Sequence, residues 1–276
     1  MSNNTNINDT CRPLGMPPVL GAEIPESMQA LTIHRNDYGP PGQVIRLEAV
    51  ATPRLRENDA GRVLVEILAS GPNFNTNFAA LGLPVPVFGR GDSATIHIPG
   101  SDALGIVVDA GPAVTRVKVG QAVVLDAWTG RDVRGYETHD GYNAQFALVE
   151  EIRAIPIPEN LQKHSPESLA AVLLTYGTAY RAIVERLRVR PNDSVLIMGG
   201  GKGTSCAAVQ LAKACGARVI LIGSNPELGN RLISRGLADA FVDRRKFDPA
   251  VFGVIEHNIS PSQWEQQTES FRQSIR

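Results

Sequence analysis

The stretch Val195-Leu-Ile-Met-Gly-Gly-Gly-Lys-Gly-Thr-Ser205 decides how the rest of the chain is read. Ser194–Met198 is an apolar run that reads as a buried strand, and it drives into a turn too crowded for side chains. A helix is predicted from the end of that turn to about Cys215, followed by a second apolar strand at Arg218–Ile222. Strand, glycine turn, helix and strand in that order imply parallel strands joined by a right-handed crossover. Glycines there let the backbone approach a pyrophosphate, and the helix start supplies unpaired N–H groups and a partial positive charge. Read strictly, G-x-G-x-x-G is not met, because Gly199-x-Gly201 is followed by Thr204 and Gly201-x-Gly203 by Cys206. A tight strand-to-helix turn without a ligand is the plain alternative. The flanking strand and helix favour the nucleotide reading. Gly199, Gly200, Gly201, Lys202, Gly203, Thr204 and Ser205 are therefore the candidate cofactor contacts.

The second strand ends at Gly223-Ser224-Asn225. NAD-preferring sites place Asp or Glu at this tip to accept from the ribose 2′-hydroxyl. No acid stands there, since Glu227 lies beyond Ser224 and Asn225. Ser224 and Asn225 can instead donate to a 2′-phosphate, with Lys202 or Arg231 adding positive charge, so NADPH is expected over NADH. Simple solvation at the surface is the other reading of Lys202 and Arg231.

Outward from this unit the chain divides into segments. Residues 1–28 read as a flexible leader rich in Asn, Pro and Thr. Residues 29–158 carry short β-like runs, at Val44–Ala49, Arg62–Ile67, Gly105–Asp109, Ala122–Leu125 and Gln145–Val149, broken by turn sequences such as Tyr38–Gly42 and Asp109–Pro112. Many short strands with turns between them indicate a barrel-type β-domain. After Ile155-Pro-Ile-Pro158 the pattern changes. Ser165-Pro166-Glu167 starts a helix, and Leu169, Val172, Leu173, Tyr176, Tyr180 and Ile183 follow at helical spacing. Residues 159–256 are the expected dinucleotide-binding domain, and 257–276 a polar tail, read as a surface helix or a frayed end. A six-stranded dinucleotide domain needs a second mononucleotide half, so this one is expected to be partial, a fragment or the front portion of a longer protein.

Composition removes other classes. The chain has 276 residues, 27 basic against 28 acidic, which leaves no basic excess for nucleic-acid binding. No apolar run approaches the ~18–20 residues that span a bilayer. The N-terminus lacks the basic and apolar regions of a secretory signal. Cysteines at 11, 206 and 215 make neither a disulfide framework nor a CxxC pair. A cytoplasmic location is expected.

A β-rich first domain ahead of such a glycine turn resembles the medium-chain dehydrogenase/reductase superfamily, which implies a GroES-like N-terminal domain followed by a Rossmann domain. Zinc-dependent members carry a ligand Cys and a Gly-His-Glu motif in the first domain. Here the corresponding stretch is Pro99-Gly100-Ser101-Asp102 and the first domain has no cysteine beyond Cys11, so a zinc-independent member is expected. Within the superfamily the chain resembles crotonyl-CoA carboxylase/reductases and the reductase part of propionyl-CoA synthase. Asn73-Phe-Asn-Thr-Asn-Phe78 with Leu83-Pro-Val-Pro-Val-Phe88 is similar to that group's Asn-aromatic-Asn motif and following loop. Gly135-Tyr136-Glu137-Thr138 is similar to its Gly-aromatic-Glu-Thr motif, continued from Gly141 to Val149, and Pro99–Gly105 and Val195–Ser205 complete the likeness. It runs from about Met28 to Phe247, and to Trp264 at its widest.

The resemblance implies reduction of a 2-enoyl-CoA thioester by hydride from NADPH with capture of CO2. An Asn, an aromatic–Glu pair and a later His form the CO2 pocket in that group. The counterparts here are Asn75 (or Asn73), Tyr136 and Glu137, with Tyr136 replacing the Phe of the best-known carboxylating members. The pocket's His has no match, since His257 lies in the divergent tail and His139 in a different motif. A homo-oligomer is expected of the full-length parent. Without the resemblance, Asn73, Asn75 and Asn77 read as turn and capping residues, Tyr136 as a half-buried aromatic and Glu137 as a solvated charge. His34, His97 and His164 read as polar residues of surface or core. The alternatives are an NADPH-dependent quinone or enone reductase on the same fold, and an inactive or incomplete nucleotide-binding fragment.

Overall fold

Residues 20–89, 92–199, 202–247 and 261–274 are described by the structure, a computed structural model. The chain divides between Leu174 and Thr175 into two units, beyond the Pro156–Pro158 break that the sequence suggests.

The first unit is built on two antiparallel sheets. One has the order β2-β1-β4, from β1 (Ser27–His34), β2 (Arg46–Ala51) and β4 (Ile96–His97). The other has the order β7-β3-β5-β6-β8, from β3 (Arg62–Ser70), β5 (Ala103–Ala110), β6 (Ala122–Leu125), β7 (Phe146–Glu150) and β8 (Ala154–Pro156). β-branched residues fill the core of the five-stranded sheet, with Val63, Val65, Val107, Val123 and Val149 all fully buried around Tyr142, while Met28 and Ala30 of β1 pack against Leu64 and Phe146 of that sheet. β1 takes in Met28, which the sequence assigns to the leader and which is buried. Five of the eight positions of β1 are buried, in an order that does not alternate, so no period-2 pattern marks it as a strand. The expected strand at Val44–Ala49 is also shifted. Pro41 opens a short helix, α1 (Pro41–Val44), so β2 begins only at Arg46.

α2 (Phe74–Leu81) follows β3 and ends at Gly82 in the left-handed conformation. Ser165 caps α3 (Pro166–Ala170), its Oγ accepting from Ser168 N as the Ser-Pro-Glu sequence predicts. The helical spacing from Leu169 to Ile183 is interrupted: α4 (Leu173–Tyr180) starts separately, and Arg181–Arg186 continues it as a π-helical turn. Leu169 and Ala170 of α3 pack with Leu104 and Ile157 on the first unit's sheet.

The second unit holds a parallel sheet of order β11-β10-β9, from β9 (Ser194–Met198), β10 (Arg218–Gly223) and β11 (Ala240–Asp243). Helices α5 (Gly203–Ala214) and α6 (Pro226–Ser234) are the crossovers. This is one mononucleotide-binding half of a Rossmann-type fold. Val209, Ala212, Val219 and Leu221 form its fully buried centre. Within the tail, α7 (Pro261–Ser274) puts Phe271 edge-on to Phe247, ring centroids 5.6 Å apart. No helix among the described residues is long and apolar enough to cross a membrane.

Candidate functional site

In the first unit, the three sequence motifs meet around Asp102 and Gly135. Asp102 begins the turn into β5 and is buried, 1% exposed. Its Oδ2 accepts from Asn73 Nδ2 at 2.9 Å, and its Oδ1 accepts from the backbone N–H of Leu174 at 2.8 Å. Burial raises its carboxyl to about 6 despite those two donors. The Asn73 amide is therefore committed to holding a buried acid. It occupies the N-cap position of α2 without making a side-chain cap bond. Asn75, the second residue of α2, is half-buried, and its carboxamide takes no side-chain partner among the described residues. Of the two candidates left open by the sequence, Asn75 is the one with donors to offer a ligand.

Tyr136 packs on the cluster of Ile33, Val44, Ala79, Ala80 and Phe88. Its hydroxyl donates to the carbonyl of Leu83, just past α2, at 3.1 Å. Glu137 is exposed and its Oε2 accepts from Val133 N at 2.6 Å, closing the turn that presents Tyr136. The Gly-aromatic-Glu-Thr segment is thus tied to Leu83, just past the C-terminal cap of α2, while Asn75 sits at the other end of that helix. No described hydrogen bond joins Asn75 to Tyr136 or Glu137. Gly135 is required at its place: φ is +72°, and a Cβ there would come 2.1 Å from the carbonyl oxygen of Gly100. Ser101 Oγ donates to Arg134 O at 2.7 Å and binds the same two segments together. Among the described residues, no group of three or more His, Cys, Asp or Glu is placed to hold a metal ion.

The second unit carries a cleft of about 240 Å³ at the C-terminal ends of β9 and β10, lined by Met198, Gly199, Lys202, Gly223, Ser224, Asn225 and Arg244 among others. Open α/β sheets bind ligands at this edge. Gly199, with φ +128°, brings the strand end against α5, where a Cβ would lie 3.1 Å from the Ser205 side chain. Ser205 Oγ donates to Lys202 O at 2.8 Å, and no acid sits in the first turn of α5, so the positive end of that helix stays uncompensated. Thr204 is exposed in the same turn. Gly200 and Gly201 lie outside the described residues.

Sequence reasoning missed Arg244. It follows β11, and its Nε donates to Ser224 Oγ at 2.6 Å, which puts its guanidinium at the cleft. Its neighbour Arg245 is turned to Asp243 (2.8 Å) and holds that carboxyl down at about 2. Arg231 is exposed on α6 and does not line the cleft. The cation beside Ser224 is therefore Arg244, supplied by the next strand, and not Arg231 from the adjacent helix. Asn225 Oδ1 accepts from Leu228 N as the cap of α6, which leaves the amide's N–H donors for other acceptors. The only sequence signal for Arg244 is its place directly after an apolar strand of the same sheet.

Residues 59–159 match the alcohol dehydrogenase GroES-like domain family. A crotonyl-CoA carboxylase/reductase of Cereibacter sphaeroides is 32% identical over 283 residues, covering 95% of this chain and 63% of that protein. A crotonyl-CoA reductase of Streptomyces collinus is 30% identical, covering 88% of this chain and 61% of its own length. Among solved structures, crotonyl-CoA carboxylase/reductase AntE in complex with NADP matches at a TM-score of 0.84 and 32% identity, over 96% of this chain and 70% of that one. The chain thus spans somewhat over three-fifths of the curated relatives it matches.

Proposed function

From the premise that this chain belongs to the crotonyl-CoA carboxylase/reductase family of the medium-chain dehydrogenase/reductase superfamily, we propose that the protein reduces a short-chain 2-enoyl-CoA with NADPH and captures CO2 at the α-carbon. The observation that carries the reading is the acid-free tip of β10, where Ser224 is bonded to Arg244 beside Lys202. A carboxylate there would repel a 2′-phosphate, whereas Arg244 offers a charge-assisted fork to it. The first turn of α5 would face the pyrophosphate. NADPH, when bound, supplies the hydride for the β-carbon.

The residues of this chain do the rest. Hydride addition develops enolate charge on the thioester oxygen, which is stabilised by N–H donors where water is scarce. CO2 has no net charge, so the neutral carboxamide of Asn75 suits it as a donor and no cation is needed. A carbon trap must also withhold protons from the enolate. The Tyr136 hydroxyl already donates to Leu83 O, and the Glu137 carboxylate is engaged by Val133 N, so neither offers a free acid proton. Tyr136 then acts as a wall, and Glu137 as the brace that fixes it.

The test is product analysis with crotonyl-CoA, NADPH and bicarbonate. Carboxylated acyl-CoA is expected, and Asn75→Leu lowers its share of product more than it lowers NADPH consumption. An equal loss of both would remove Asn75 from the CO2 pocket. NADPH oxidation by enones or quinones but not by enoyl-CoA would assign the chain to the simpler reductases of this fold.

A further inference from the structure

His97 and His139 stand 42 residues apart in sequence, yet their Nδ1 atoms lie 3.1 Å apart. They are the middle of a chain of four groups. His97 is fully buried, and its Nε2 is 3.2 Å from the carbonyl oxygen of Gly135. His139 Nε2 is 2.5 Å from Asp92 Oδ2. The other oxygen of Asp92 accepts from Ala94 N at 2.9 Å. Both ends of this chain, a carbonyl and an ionised carboxylate, accept only. Three links therefore require three N–H protons, and two neutral imidazoles carry only two.

We propose that His97 and His139 share one proton beyond neutrality and use it as a positioning pair, fixing the carbonyl of Gly135 and with it the Gly135–Thr138 segment that presents Tyr136. The role assigned to Tyr136 rests on the reading above; the proton count does not.

The surroundings say where the third proton sits. Burial pushes the His97 imidazole down to about 4, so His97 is the neutral member, with its hydrogen on Nε2 facing Gly135. His139 is half-buried and touches Asp92, whose carboxyl is held below its ordinary value by Ala94 N and by His139. The ring of Phe88 stacks on His139 at 5.1 Å and 18°, offering a π face to an imidazolium. Further charged groups contact this chain or sit on the strands beside it. Arg35 lies 3.8 Å from Asp92 and 5.0 Å over the Phe88 ring, and Arg134 is paired with Asp140 at 2.9 Å. On β1 and β2, His34 and Glu48 bond each other at 2.7 Å. Asp140 acts on His97 only at a distance, whereas His139 is in direct contact with the Asp92 carboxylate, and that contact decides which ring is charged. When the proton leaves, Asp92 keeps one N–H of His139. His97 must then aim its single N–H either at His139 or at Gly135, and the carbonyl loses its donor for part of the time.

Histidine side-chain nitrogen NMR on the free chain, between about pH 5 and pH 9, tests this without any enzymatic turnover. A chain with no carboxylase activity would leave the outcome untouched. At neutral pH, His97 is expected as the neutral Nε2–H form and His139 with both nitrogens protonated. The backbone amides of Gly135 and Tyr136 are expected to shift with the same midpoint as His139. Asp92→Asn, which keeps the shape and removes the charge, is expected to lower that midpoint by at least about one pH unit, a tenfold loss of proton affinity. Two neutral imidazoles at neutral pH would overturn the proposal. So would amides of Gly135 and Tyr136 that ignore the titration, and the wild-type spectra decide both points even if the variant fails to fold.

Discussion

The cleft proposed for the nucleotide and the Tyr136 segment are built in contrasting ways. The cleft comes from successive pieces of one chain direction: the end of β9, the start of α5, the end of β10 and the residue after β11. Its backbone is kept open, and a Cβ on Gly203 would meet nothing within 4 Å. The Tyr136 segment is held by residues far apart in sequence, with Gly135 pressed on Gly100 and with hydrogen bonds from Ser101, His97 and Tyr136 itself. Open backbone at the cleft suits the phosphate proposed for it, whereas backbone packed on backbone suits a segment proposed to aim a side chain. Equivalent substitutions in the two places should therefore differ in effect.

Gly135→Ala gives the largest effect. The left-handed strain and the clash with the Gly100 carbonyl together should cost roughly 3–4 kcal/mol in urea unfolding. Next comes Asp102. Its folded value, about 6, lies above its ordinary 3.8, so the folded state binds the proton more tightly. This group's contribution is thus fully present below 3.8 and is lost as the pH rises to about 6. The span corresponds to about 3 kcal/mol. Asp102→Asn removes the titration, so the stability of the variant relative to wild type should rise by up to that amount across the window. A constant difference would refute the burial argument. Arg244→Ala should weaken NADPH binding roughly ten- to a hundredfold and leave NADH almost unchanged. Gly203→Ala should be the mildest, about 1 kcal/mol, because only the positive φ is penalised. If Gly203→Ala proved as damaging as Gly135→Ala, the contrast between open and packed backbone would fail.

The same contrast explains what could be read from the sequence. β9 is legible because Val195–Met198 is a continuous apolar run that enters glycines directly, so strand, turn and helix are all local signals, although only Val195 and Ile197 of the run are buried. The paired motifs around Asn75 and Tyr136 were legible only through the resemblance, since each is plain turn chemistry on its own. Arg244, Asp102 and the His97–His139 pair were not legible as site residues. Their meaning comes from partners 20, 29 and 42 residues away, brought together by sheet pairing that no local period encodes. The sequence points to Arg231 and not to Arg244 because a cation near a strand tip carries no mark of which way its side chain will point.

The most direct test of the central claim is calorimetric titration of this 276-residue chain with NADPH and, separately, with NADH. Saturable binding with NADPH at least about tenfold tighter, a preference lost in Arg244→Ala, is the predicted result. NADH binding as tight as NADPH, or a preference untouched by Arg244→Ala, would contradict the phosphate site at the tip of β10 and the reductase assignment that stands on it.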